Sequence, residues 1–163
     1  MRQEKSLAFR RKQDTLHFIK KAEKDTLAVY KYPEGTLVDL NEADTTELKK
    51  IPGIGSGIAR MIVAYRKRLG GFYDMAQLKE VNYVDEDMLR WFKLGNAPIH
   101  RINANKAGLD KLRSHPYMNF YQAKVIIEYR RKKGKLKSLS QLSLYEEFTE
   151  KDLERLSHYL AFD

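Results

Sequence analysis

Between Leu40 and Phe92, apolar residues return at three- and four-residue intervals broken by glycines and capping-type residues, a pattern that predicts a run of short amphipathic helices. Asp44, followed by Glu47 three positions on, has the form of a capping box. Leu48 and Ile51 make the apolar stripe of the helix that follows, predicted to run for about two turns. A longer helix is predicted to open near Ser56, to turn Ile58, Ala59, Ile62, Val63 and Tyr65 inward, and to stop at Gly70-Gly71. Ala59 is small where the two helices would cross. A further pair is predicted at Met75-Ala76-Gln77-Leu78 and from Asp85 through Phe92, with Trp91 and Phe92 adding apolar area that so small a unit otherwise lacks.

The pattern occurs twice. Asn41, Ala43, Leu48, Pro52, Ala59, Ile62, Tyr65, Arg66 and Gly70 recur as Asn105, Ala107, Leu112, Pro116, Ala123, Ile126, Tyr129, Arg130 and Gly134, at a constant offset of 64 residues. The register continues without a gap from Gln77, Leu78, Glu86 and Leu89 to Gln141, Leu142, Glu150 and Leu153. Pro98 and the polar stretch around Asn96 and His100 mark the junction, which places the units at 38–97 and 98–163. The expectation is an all-α fold of two tandem units, each of four short helices. Residues 1–37 break the pattern: Arg10-Arg11-Lys12, Lys20-Lys21 and Lys24 crowd a segment read as a basic arm or linker, part helical at most.

Chemistry is concentrated at Ile51-Pro52-Gly53-Ile54-Gly55-Ser56-Gly57-Ile58-Ala59. Pro52 biases Ile51 away from the α region and ends the first helix, while Gly53 and Gly55 can take positive φ. The turn thus sets bare backbone N–H groups at a helix start, which is an anion site. The net charge of +9, from 31 Lys and Arg against 22 Asp and Glu, favours a polyanion as partner. Lys49, Lys50 and Arg60 flank the turn. Arg66, Lys67 and Arg68 close the long helix and offer secondary basic contacts, as do Lys111, Arg113 and Lys124 in the second unit. A Rossmann site is excluded because a helix, not a strand, precedes the glycines, and a P-loop because no Gly-Lys-Ser/Thr follows them. With no cysteine, and with His17, His100, His115 and His158 scattered, the sequence holds no transition-metal spacing. Glu146, Glu147, Glu150 and Asp152 are crowded, but Thr149 with Asp152 reads as a helix cap, so no catalytic residue is assigned and no enzyme is expected. No apolar run has the length of a membrane span or signal segment.

Leu48-x-x-Ile51-Pro52-Gly53-Ile54-Gly55-x-x-x-Ala59-x-x-Ile62 resembles the helix-hairpin-helix motif. With Leu40-Asn41-x-Ala43 before it, and Tyr65-Arg66 and Gly70-Gly71-Phe72 after it, the unit is similar to the DNA-binding domain of the competence protein ComEA family. The resemblance covers residues 38–163 and implies two tandem domains of paired hairpins that grip the DNA backbone without reading sequence. It points to the N–H groups of Gly53, Gly55, Gly57 and Ile58 as phosphate donors, with Ile54 plugged between the helices. Ser56 departs from the lysine or proline common in relatives and offers a hydroxyl but no charge. The resemblance also implies a monovalent cation, Na+ or K+, on the carbonyls of Lys49, Ile51 and Ile54, and no other cofactor. In that family a membrane anchor often carries the domain. Here such an anchor would lie outside the chain, which itself makes no membrane contact, and the compartment stays open between an extracytoplasmic (periplasmic) and a cytoplasmic setting.

The remaining hairpins depart further, their glycine positions becoming Tyr83 and Asp85, Tyr117 and Asn119, and Glu147 and Thr149. The second and fourth carry acidic residues and read as structural. The third keeps Lys111, Arg113, His115 and Lys124 nearby, and Tyr117, Phe120 or Tyr121 could stack on a base. Tyr65 and Tyr129 are expected in the cores. The leading reading is sequence-independent binding of double-stranded DNA with no small-molecule substrate. The alternative is a protein-interaction or scaffold module, which requires Tyr117, Phe120 and Tyr121 to be exposed and contiguous.

Overall fold

A computed structural model describes residues 30–163, so residues 1–29, most of the basic arm, lie outside it. The Asp44 carboxylate accepts from Thr46 N at 2.7 Å and Glu47 N at 2.8 Å, and Asp44 N donates to Glu47 Oε2 at 3.2 Å, which starts helix α1, Thr45–Leu48. It is one turn long rather than two. Ahead of Pro52 the chain tightens to three-residue bonds, Lys50 N to Glu47 O at 3.0 Å and Ile51 N to Leu48 O at 3.1 Å. Helix α2, Ser56–Leu69, ends at Gly70, whose φ of +96° is the left-handed C-terminal cap that glycine accommodates. A 3-10 helix, Met75–Glu80, and the one-turn helix α3, Glu86–Leu89, complete the first repeat.

The predicted helix from Asp85 through Phe92 is therefore shorter. Trp91 and Phe92 leave it because Phe92–Lys93 (β2) pairs in parallel with Val38–Asp39 (β1). The second repeat follows the same order: β3 (Ile102–Asn103), α4 (Leu109–Arg113), α5 (Phe120–Lys133), a 3-10 helix (Leu139–Gln141), α6 (Glu150–Ser157) and β4 (Leu160–Ala161). Strands β3 and β4 are again parallel. The fold is all-α, with one two-residue bridge tying the start of each repeat to its end. Among the described residues no helix is long and apolar enough to cross a membrane.

Two apolar clusters form, one per repeat. Leu40, Leu48, Ile51, Ile54, Ile62, Leu69, Phe72 and Leu78 are buried in the first. Leu112, Ala123, Ile126, Leu136, Leu142 and Leu156 are buried in the second. Tyr65 and Tyr129 sit half-buried at the edges of these cores. Several repeated polar residues have structural work. The Asn41 amide bonds both backbone groups of Phe72 at 2.8 Å, and Asn105 does the same for Leu136 at 2.8 Å. Arg66 Nη1 donates to the carbonyls of Leu40 and Ala43, each at 2.8 Å, and Arg130 Nη1 to those of Ala104 and Ala107. Arg66, grouped in the sequence with Lys67 and Arg68 as a secondary basic contact, is thus engaged inside the protein: it clamps two carbonyls, and burial lowers its pKa.

Tyr32–Asp163 form one compact unit because the repeats share buried contacts. Tyr159 of the second repeat is fully buried in the first apolar cluster, where its hydroxyl donates to Gly71 O at 2.8 Å. His115 Nε2 lies 2.8 Å from Leu69 O, and its Nδ1 accepts the N–H of Tyr117 at 3.1 Å. His100 N donates to Gly70 O at 2.8 Å.

Candidate nucleic-acid interface

The first hairpin is built by Ile51–Ile54, closed by Ile54 N donating to Ile51 O at 3.1 Å. The Ile54 side chain, 1% exposed, is buried in the first apolar cluster with Leu48, Ala59 and Ile62. Gly53 takes a φ of +84°, as its position in the turn requires. Gly55 does not: its φ of −97° and ψ of −177° are extended, the ordinary geometry of an N-cap residue. Its glycine character matters differently, because it caps α2 with no side-chain hydrogen bond. The first bond of the helical ladder is Ala59 N to Gly55 O at 3.0 Å, and the N–H groups of Ser56, Gly57 and Ile58 have no intrahelical acceptor. Gly55, Ser56 and Gly57 are exposed, Ile58 is half-buried, and a Cβ at Gly55 or Gly57 would meet nothing within 4 Å. The protein interior therefore places no demand for glycine at either position.

Lys49 and Lys50 are half-buried beside the turn, with Lys50 Nζ 5.6 Å from the centre of the Tyr32 ring. Arg60 is exposed and reaches back to Ser56 O at 3.2 Å. Lys67 and Arg68 are exposed at the other end of α2, and 14 residues of helix put them about 20 Å from the glycine turn, outside its immediate surroundings. Lys111, Arg113 and Lys124 are exposed on α4 and α5, where Arg113 pairs with Asp110 at 2.9 Å and Lys124 lies 4.0 Å from Glu128.

The third hairpin is closed where the first is open. The Asn119 side chain accepts from Gln122 N at 2.9 Å, and Asn119 N donates in return to Gln122 Oε1 at 3.0 Å. His115, read in the sequence as part of its basic surroundings, is 2% exposed, and burial in a neutral form lowers its pKa to about 4. Tyr117 likewise folds inward, while Phe120 and Tyr121 stay 44% and 68% exposed. The three-ring surface required by the scaffold reading is thus reduced to a pair. In the second hairpin, Tyr83 occupies the Gly53 position with a φ of +66° and is 79% exposed. Asp85 caps Met88 N at 2.9 Å, and Glu86 pairs with Lys79 at 2.9 Å. In the fourth, Thr149 and Asp152 form the cap read from the sequence.

Sequence reasoning missed the polar cluster joining the repeats. Gln77 Nε2 donates to the hydroxyls of Tyr117 at 2.9 Å and Tyr159 at 2.8 Å. Tyr117 donates to Glu80 at 2.8 Å, Tyr65 donates to the same carboxylate, and Arg155 stands 4.7 Å over the Tyr117 ring. Burial, with the Glu80 hydrogen bond, pushes the Tyr117 hydroxyl up to about 12, so it remains a donor. The repeat could not reveal this cluster, since Gln141, the counterpart of Gln77, instead bonds Tyr129 at 2.6 Å.

Residues 34–91 and 98–161 both match the helix-hairpin-helix motif, and two such motifs point to non-specific nucleic-acid binding. Mouse and rat proteins named endonuclease/exonuclease/phosphatase family domain-containing protein 1 are 27% identical over 154 residues, which cover 74% of this chain and 27% of theirs. The Xenopus laevis protein of that name is 25% identical over 146 residues, covering 74% of this chain and 26% of its own. The chain thus spans about a quarter of the length of these curated relatives. No solved structure matches it.

Proposed function

This chain belongs to the helix-hairpin-helix family through both of its repeats, and on that premise we propose that it binds double-stranded DNA without sequence preference, seating a backbone phosphate on the start of α2. The observation that carries the reading is the uncapped helix start. Gly55, Ser56 and Gly57 are exposed, the first turn holds no acidic residue, and the dipole of a 14-residue helix adds positive potential. Lys49, Lys50 and Arg60 supply attraction at longer range. The chain acts without catalysis in this reading, and the Thr149–Asp152 cap gives part of the crowded carboxylates a structural role. The monovalent cation on the Lys49, Ile51 and Ile54 carbonyls, and a role in DNA uptake of the ComEA kind, are finer parts of the same proposal.

The test is Gly57→Glu. A carboxylate there favours the helix start in two ways, by replacing glycine and by complementing the dipole, while repelling phosphate. Affinity for a blunt duplex is expected to fall by at least about tenfold, or ~1.4 kcal/mol, with the thermal melt unchanged or raised. Unchanged affinity in the folded variant would remove α2 from the interface.

A further inference from the structure

The offset that aligns the repeats sets Phe120 and Tyr121 on Ser56 and Gly57, the positions where α2 leaves its backbone bare. The replacement changes the chemistry completely. The Asn119–Gln122 capping box takes up the Gln122 N–H, the counterpart of the Ile58 N–H that α2 leaves without an intrahelical acceptor. Two exposed aromatic rings belong to the first turn of α5, edge to face with centroids 5.6 Å apart, and neither is part of an apolar cluster. The helix that carries them suits an anionic partner, although Glu147 and Asp152 line the groove beside Asn119 and Gln122. Helices α3 and α6 open on acidic residues, Glu86 and Asp87, then Glu150 and Asp152, whereas the first turn of α5 has none. The next charge on the helix, Lys124, is four residues from Phe120 and three from Tyr121, hence on their face, with its side chain 57% exposed.

We propose that the third hairpin is a stacking platform for an unpaired base, with Phe120 and Tyr121 holding the base and Lys124 attracting the adjoining phosphate. This rests on the chain being a nucleic-acid binder and names a second class of nucleic acid for it, the single strand. Bases inside a duplex are already stacked on both faces, so away from duplex ends it is an unpaired base that offers a face to the rings. The two hairpins then divide the work, the first taking duplex backbone and the third taking unpaired bases.

Fluorescence anisotropy of the full chain with labelled twelve-nucleotide strands tests this, comparing oligo-thymidine with an abasic strand of equal charge. The intact protein is expected to bind oligo-thymidine about tenfold or more tightly than the abasic strand. The Phe120→Ala/Tyr121→Ala variant should bind the two strands equally while keeping its affinity for blunt duplex, and Phe120→Trp should retain the preference. Gly57→Glu should lose the duplex and keep the preference, which separates failure of the platform from failure of the phosphate seat. Equal binding of both strands by the intact protein overturns the proposal, as does a preference that survives the double substitution. Self-association that the double substitution abolishes also overturns it, by assigning the rings to a second copy of the chain.

Discussion

His115 has both ring nitrogens in use, Nε2 donating to Leu69 O and Nδ1 accepting from Tyr117 N–H, so the buried ring must be neutral. A second proton on Nδ1 would face an N–H group in a site that desolvation already makes hostile to charge. The pKa falls to about 4 in the folded chain against ~6.5 when unfolded. The unfolded state therefore binds more protons between these values, and stability is complete above pH ~6.5 and lost as pH falls toward 4, by at most about 3 kcal/mol. Melts from pH 7.5 down to 5 should show a falling midpoint, and His115→Gln should flatten the slope in that window. In the sequence this histidine was indistinguishable from a basic neighbour of the third hairpin. Its role appeared only when Leu69, 46 residues away, supplied the acceptor.

At the scale of elements, the helices that follow hairpin turns differ in their first residue. Asp85, Asn119 and Thr149 each cap with a side chain, whereas Gly55 caps α2 with none. Stability and binding are opposed there. Gly55→Asp fits, since φ is negative and a Cβ meets nothing within 4 Å, and its carboxylate would take up an orphan N–H group. It should raise stability by a few tenths to about 1 kcal/mol while cutting duplex affinity by at least about tenfold. A denaturant midpoint and a binding isotherm on the same variant check both signs. Most of these elements were legible in the sequence: the caps at Asp44 and Thr149 and the stop at Gly70 are local, written within four residues of where they act. The extended geometry of Gly55 and the early end of α3 were not. A glycine permits several backbone conformations, and a two-residue strand has no periodicity to detect.

For the whole molecule, the +9 charge and the few cations around α2 lead to an expected log K against log salt slope of about −3 to −5 on blunt duplex, independent of duplex sequence. Nanomolar binding of one preferred sequence at high salt would contradict it. Tyr159 carries the union of the repeats, its ring in the first core and its hydroxyl between Gly71 O and Gln77 Nε2. Tyr159→Phe leaves those buried groups short of a partner and should cost about 1–3 kcal/mol, read as a lower calorimetric midpoint. Sequence alone determined the two repeats, their four-helix order and the glycine turn, because each rests on spacings within one helix or turn. Tertiary structure decided that Arg66 holds Leu40 and Ala43, that Tyr117 turns inward to Glu80, and that Phe120 and Tyr121 stay exposed. Those outcomes depend on partners 23 to 37 residues away, or on which side chains the two cores take in, and no local pattern encodes either.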